Sequence, residues 1–192
     1  MELDRAARAI REGDLVVYPT ETVYGLGADA LDSGAVERVY EAKTRARSNP
    51  LSMAVPDVET AARHTYLTDR ERAFVREFLP GPVTVIVEAG PEIPKELTAG
   101  RDRVGIRIPD HDLALSLLED VAPITATSAN VSGNPSVRRV DDLDPAIRGA
   151  VACVLDGGET GGTESTVVDV ERGEVHRRGA LADEIEAWLE AE

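Results

Sequence analysis

Lys43 is one of two lysines in a chain that carries nineteen arginines. It stands in the segment Lys43-Thr44-Arg45-Ala46-Arg47-Ser48-Asn49-Pro50-Leu51. A composition that has nearly abandoned lysine keeps one where an ammonium has work that a guanidinium cannot do. An ammonium is a compact, mobile charge for non-bridging phosphate oxygens, while guanidinium forks grip the same group at two points. The segment reads as a polyphosphate site; the plainer alternative is the solvated basic end of a helix.

Four more segments are polar or glycine-rich where strands end, the usual place for a ligand site in an α/β sheet. Tyr18-Pro19-Thr20-Glu21-Thr22-Val23-Tyr24-Gly25-Leu26-Gly27 sets hydroxyls and a carboxylate after a strand. Its two glycines let backbone approach a ligand, and Thr22 and Tyr24 are poor choices for an idle loop. Val104-Gly105-Ile106-Arg107-Ile108-Pro109 holds an arginine between aliphatics, which either snorkels to a sheet edge or meets a buried anion. Thr127-Ser128-Ala129-Asn130-Val131-Ser132-Gly133-Asn134-Pro135-Ser136 offers small donors and backbone amides suited to phosphate or ribose oxygens. Pro80-Gly81-Pro82-Val83-Thr84 reads first as a rigid turn entering a strand.

Hydrophobic spacing supplies the elements that hold these segments. Leu3, Ala6, Ala7 and Ile10 predict an opening helix that ends near Gly13, and Leu15–Tyr18 a short buried strand halted by Pro19. Ser33 is expected to cap a helix through Val36, Val39 and Tyr40, which delivers Lys43 and Arg45 at its end. Thr68-Asp69-Arg70-Glu71 is a capping box that opens a helix toward Phe78. Strands are expected at 51–55, 83–88, 104–108, 124–127, 150–155, 165–170 and 173–177, with a helix starting at Asp110 and a last one carrying Ile185, Trp188 and Leu189. Helices interleave with apolar strands, so the fold class is α/β, a layered domain around a mixed sheet. Asp156–Thr163, rich in glycine, is expected as a loop beside the site.

Length and charge narrow the classes. At 192 residues the chain is expected to be one domain, residues 1–192. No apolar run approaches the roughly 18 residues of a membrane span, and the charged N-terminus has no signal-peptide core. Cys153, alone, forms no internal disulfide and reads as a buried thiol; a cytoplasmic location is expected. Net charge is −15, spread along the chain. That pattern with so little lysine suits a protein kept soluble in concentrated salt, where the Debye length falls to roughly 3 Å at 1 M. The scattered His64, His111 and His176 are expected at surface or edge positions.

Together the segments resemble one family. Pro19-Thr20-Glu21-Thr22-Val23-Tyr24-Gly25-Leu26, Lys43-x-Arg45 with Asn49-Pro50-Leu51, Gly81-Pro82-x-Thr84, Thr127-Ser128-Ala129-Asn130-x-Ser132-Gly133 and Ser165-Thr166-Val167-Val168-Asp169 occur in the order of the YrdC/Sua5 family, from about Val16 to Gly179. The resemblance implies a twisted mixed parallel/antiparallel sheet flanked by helices, YrdC/RibB-like, with a concave, positively charged cavity. It implies an L-threonylcarbamoyladenylate synthase, a nucleotidyltransferase that joins L-threonine, bicarbonate and ATP, with Mg²⁺ arriving on the ATP. A separate complex then moves the threonylcarbamoyl group to adenosine 37 of tRNA; direct tRNA binding is left open. The chain is expected to be the family's single-domain form.

By motif, the resemblance assigns Lys43, Arg45 and Asn49 to the ATP phosphates, with Lys43 and Arg45 catalytic. Ser128, Asn130 and Ser136 fall on the nucleotide side, with Arg177, or Arg178 as the next choice. Thr22, Arg107 and Ser165 fall to L-threonine, Arg107 gripping its carboxylate. No protein metal site is assigned. Two departures stand out: Met53-Ala54-Val55 where many members have a histidine, and Arg103 where a hydroxyl residue is common. A different class, an RNA-binding module, fits a positive concavity but not the acidic chain or its lack of an aromatic stacking platform. Hydrogenase-maturation proteins with a YrdC-like domain are far larger.

Overall fold

Alternation along the strands decides which residues of this protein face its core and which face outward. The computed structural model describes residues 2–191. Helix α1 (Glu2–Arg11) leads into strand β1 (Leu15–Tyr18), followed by β2 (Gly25–Gly27), α2 (Ser33–Lys43), β3 (Ser52–Ala54), α3 (Val58–His64) and β4 (Thr65–Tyr66). Then come α4 (Asp69–Phe78), β5 (Val83–Ala89), α5 (Lys95–Thr98), β6 (Arg103–Arg107), α6 (Asp112–Val121) and β7 (Ile124–Ser128). A 3-10 turn at Val140–Asp142, α7 (Pro145–Ala150), β8 (Val151–Val154), β9 (Thr166–Asp169), β10 (Glu174–Arg177) and α8 (Ala182–Ala191) complete the order.

The strands form one mixed sheet in the order β10-β9-β5-β6-β3-β7-β2-β1-β8, with β4 on β5 beyond the reach of β9. Pairs β1–β8, β3–β6 and β5–β9 are parallel and the rest antiparallel. Val83, Val85 and Val87 of β5, Val104 and Ile106 of β6, Met53 of β3 and Val168 of β9 point into the larger core. That core is closed by apolar residues of α2, α4, α5, α7 and α8. The opposite face is covered at one end by α1 and α6, through Ala6, Ile10, Ala114 and Leu117 packed on Val16, Tyr18 and Ile124. Over β3, β6, β5 and β9 that same face carries polar and small residues instead and forms the floor of a cavity.

Several local expectations hold. Thr68 and Glu71 form the capping box, with the Glu71 carboxylate accepting from the Thr68 amide at 2.9 Å. Trp188 packs edge-on against Phe74 and Phe78, which docks α8 on α4. Cys153 is a buried thiol, and burial raises its pKa.

Others are corrected. Asp32, not Ser33, caps α2: its extended backbone lets the carboxylate accept from the amides of Gly34 and Ala35, while the Ser33 hydroxyl turns to Glu96 at 3.1 Å. Helix α6 starts at Asp112 rather than Asp110. Gly25–Gly27, where no strand was expected, is a strand wedged between β1 and β7. It lies flat on the Tyr18 ring, where a Cβ on Gly25 would come 2.8 Å from Tyr18 Cζ. With two of three residues glycine, such a strand has no alternation to read.

Candidate active site

The uncovered face of the sheet holds a cavity of about 580 Å³. Its floor is the outward set of each strand: Thr84 and Ile86 of β5, Arg103, Gly105 and Arg107 of β6, Ser52 and Ala54 of β3, Ala126 and Ser128 of β7, and Val167 and Asp169 of β9 with Ser165 just before it. Thr20, Thr22, Val23 and Tyr24 form one wall, and Arg45, Arg172, His176 and Arg177 stand around the rest. Six arginines (Arg45, Arg101, Arg103, Arg107, Arg172, Arg177) face three carboxylates (Asp102, Glu164, Asp169) in this lining.

Arg107 lies at one end of β6, beside Ala54 on β3. Its NH2 donates to the Thr22 hydroxyl at 2.7 Å and pairs with Glu21 at 3.0 Å. Its Nε and both Glu21 oxygens are buried without a hydrogen bond, while Nη1, neither buried nor bonded, is the donor left for an incoming carboxylate. Thr22 in turn meets the Thr20 hydroxyl at 3.0 Å. Across the floor, the buried Ser165 hydroxyl contacts Thr84 at 3.3 Å and accepts from Arg177 at 2.9 Å. Arg177 also donates to the Ser165 carbonyl at 3.0 Å and approaches Glu164 at 3.6 Å. Arg178 turns away to Asp183 and Glu186 on α8, so of the two neighbours only Arg177 borders the cavity.

Helix α2 ends at the cavity's edge, where Thr44 adopts a left-handed conformation and reverses the chain. Arg45, beyond that turn, donates to the carbonyls of Asn49 and Pro50 at 3.1 and 3.0 Å and lines the cavity. Burial lowers its pKa, Tyr40 opposes this, and the charge of Arg177 lowers it further, so an anion between the two guanidiniums would relieve both. Lys43, before the turn, is fully buried and is not part of the lining. Its ammonium goes to the Ser128 carbonyl and to Asn130.

Of the ten residues singled out in the sequence, Thr22, Arg45, Arg107, Ser128, Ser165 and Arg177 share the cavity. Lys43 touches it only through Ser128. Asn49 is exposed at the rim and supplies its carbonyl to Arg45 and Tyr40. Asn130 and Ser136 border a neighbouring groove, and Ser136 donates to Glu164 at 2.7 Å. The 156–163 segment is a loop beside the site. Tyr24 Oη holds it at Gly157 and Gly158, and the Gly162 amide donates to the Thr22 carbonyl at 2.6 Å.

Sequence reasoning missed Thr84, Arg101, Arg172 and His176 as lining residues. Arg103, singled out only as a departure, shares the face of Arg107 by strand alternation, and that period of two was the available signal. Arg103 is clamped by Asp169 at 3.0 Å and by the Ile86 carbonyl at 2.9 Å. His176 is exposed on edge strand β10, as expected, yet reaches the rim.

A mixed sheet with one face left open as an arginine- and hydroxyl-lined cavity defines a small-ligand α/β protein. The Sua5/YciO/YrdC family model, described as telomere recombination, matches residues 8–179, and the chain belongs to this family. It is 43% identical over 170 residues to the threonylcarbamoyl-AMP synthase of Pyrococcus abyssi, covering 86% of this chain and 49% of that protein. It is 35% identical over 180 residues to the threonylcarbamoyl-AMP synthase of Shigella boydii, covering 91% of this chain and 94% of that one. The crystal structure of P. abyssi Sua5 complexed with L-threonine matches with a TM-score of 0.91 at 41% identity, over 96% of this chain and 56% of that one. The chain thus spans about half the length of the archaeal relative.

Proposed function

We propose that the cavity makes threonylcarbamoyl-AMP and pyrophosphate from L-threonine, bicarbonate and ATP, as a nucleotidyltransferase. The observation that carries this reading is the convergence of Thr22, Arg45, Arg107, Ser128, Ser165 and Arg177 from separate segments on one cavity. The names of the synthases it resembles and the L-threonine complex of P. abyssi Sua5 support it.

In this reading Arg107, oriented by Glu21 and Thr22, forks the carboxylate of L-threonine, and Ser165 lies within reach on the opposite side. Arg45 and Arg177 flank the triphosphate, with Ser128 at the nucleotide. The neutral threonine amine adds to CO₂ with release of a proton to solvent, or condenses with bicarbonate with release of water, to give a carbamate. A carbamate oxygen then bonds the α-phosphorus of ATP as the bond to the bridging oxygen of pyrophosphate breaks. The chain's share is to hold the two reactants in line and to offset charge building on the leaving pyrophosphate. Among the described residues no cluster of three or more His, Cys, Asp or Glu could hold a metal ion. The lining acids Asp169 and Glu164 already serve arginines. Mg²⁺ would arrive on the ATP, bound to its phosphates. The product is expected to pass to a complex that modifies adenosine 37 of tRNA.

Pyrophosphate release with ATP and bicarbonate in high potassium chloride, with and without L-threonine, tests the reading. Release that requires L-threonine and falls with L-serine is expected. Release indifferent to the amino acid overturns the substrate assignment, and tight tRNA binding without either substrate would favour an RNA-binding module instead.

A further inference from the structure

Two residue pairs spaced two apart meet at the cavity wall, and each pair splits. Of Lys43 and Arg45, only Arg45 lines the cavity; of Ser128 and Asn130, only Ser128 does. The two left behind meet one another. Lys43 Nζ donates to the Ser128 carbonyl, to the Asn130 carbonyl at 2.7 Å and to Asn130 Oδ1 at 3.4 Å. An ammonium has three N–H donors, and all three are taken.

The Lys43 carbonyl also accepts the Ser132 amide at 2.8 Å, so this residue grips the loop by side chain and main chain together. Asn130 closes the loop on itself, donating through Nδ2 to the Asn134 carbonyl at 2.7 Å and the Val131 carbonyl at 3.2 Å. Lys43 is 1% exposed. Anything in the cavity would meet Ser128 before it met the ammonium. A buried cation held by carbonyl oxygens is costly to keep, and lysine is what the geometry demands. No nitrogen of a guanidinium carries more than two N–H groups, so none can serve three oxygens that converge on one atom.

We propose that Lys43 is a positioning residue, which with Asn130 locks the 128–134 loop from behind so that Ser128 keeps its aim into the cavity, and that it makes no contact with ATP. The consequence for ATP rests on the nucleotide reading above; the locking of the loop does not.

The chain's two lysines make the test direct. Protein labelled with ¹³C at lysine Cε gives two side-chain signals, from Lys43 and Lys95, and the dipolar coupling of each to ³¹P is measured in a frozen complex with saturating MgATP. No coupling is expected at Lys43 while calorimetry reports binding. A Cε–phosphorus separation short enough for an Nζ–phosphate hydrogen bond means direct contact and overturns the proposal.

In a second arm, amide exchange at Ser132 is compared in wild type, Lys43→Arg and Asn130→Ala without ligand. Both variants are expected to exchange about tenfold faster or more, from loss of paired buried acceptors, and Lys43→Arg to bind ATP correspondingly more weakly. Retention of both protection and ATP affinity in Lys43→Arg sinks the proposal, because a guanidinium replaces an ammonium on phosphate but not in this loop. Should Lys43→Arg fail to fold, unchanged exchange in Asn130→Ala has the same force. If wild type binds no ATP, the nucleotide reading falls, and the exchange arm still decides the role of Lys43.

Discussion

Arg107 sits where two demands meet, a charge that must be buried at the cavity floor and a fork that must stay available. Glu21 and Thr22 occupy Nη2 from behind, which fixes the guanidinium plane and leaves Nη1 without a protein partner. Arg107→Lys keeps the charge and the pairing with Glu21 but loses the second point of contact. Its KM for L-threonine is expected to rise about tenfold or more with little change in KM for ATP, read from steady-state pyrophosphate release. Lys43 offers a pH signature. Burial, and then the charge of Arg45, lower its pKa to about 8. The unfolded value is about 10.4, so below pH 8 the group is protonated in both states and the folded state bears the full cost of the buried charge. Between roughly pH 8 and 10.4 only the unfolded chain keeps the proton, and the Lys43 contribution to stability rises with pH. ATP affinity should fall over the same range, since a neutral amine has two donors for three oxygens. Urea unfolding and calorimetry of wild type against Lys43→Met, from pH 7 to 9.5, are expected to show these opposite slopes.

At the scale of elements, strands with an unbroken apolar set were readable: Leu15–Tyr18 and Val83–Ala89 lie within a residue of their expected ends. The short helices Val58–His64, Lys95–Thr98 and Pro145–Ala150 were not, because four to seven residues hold too few turns to show a period. The candidate site shows the same division. Its motifs were visible as residue types, but not which member of Lys43-x-Arg45 lines the cavity. That depends on the left-handed Thr44, a threonine with no turn signature that reverses the chain between them. Strand β2 is the element most dependent on its glycines. In Gly25→Ala the new methyl would push on the buried Tyr18 ring, whose Oη is tied to the Thr125 carbonyl at 3.2 Å. A loss of about 1–3 kcal/mol in urea unfolding is expected. Gly149→Ala in α7, where a Cβ meets nothing within 4 Å, should instead gain up to about 1 kcal/mol.

The whole molecule sets a cationic cavity inside a chain of net charge −15. Under the proposed function, a polyphosphate would approach against the long-range field and be held only once among the arginines. Many of the ion pairs are at the surface, such as Arg11–Asp120 and Arg178–Asp183, and contribute little each. Screening of the net repulsion should therefore dominate the response to salt. The urea midpoint is expected to rise between 0.1 and 2 M potassium chloride; a flat or falling midpoint would count against salt adaptation. Among the described residues no helix is long and apolar enough to cross a membrane.

Strand β6 carries its arginines and its valine and isoleucine on opposite sides of a five-residue ribbon. A slip of one residue in its pairing with β3 and β5 would swap the two sets, sinking guanidiniums among aliphatics and emptying the floor of charge at a stroke. A residue inserted within β6 would have to bulge out of the ribbon or turn every side chain beyond it to the other face.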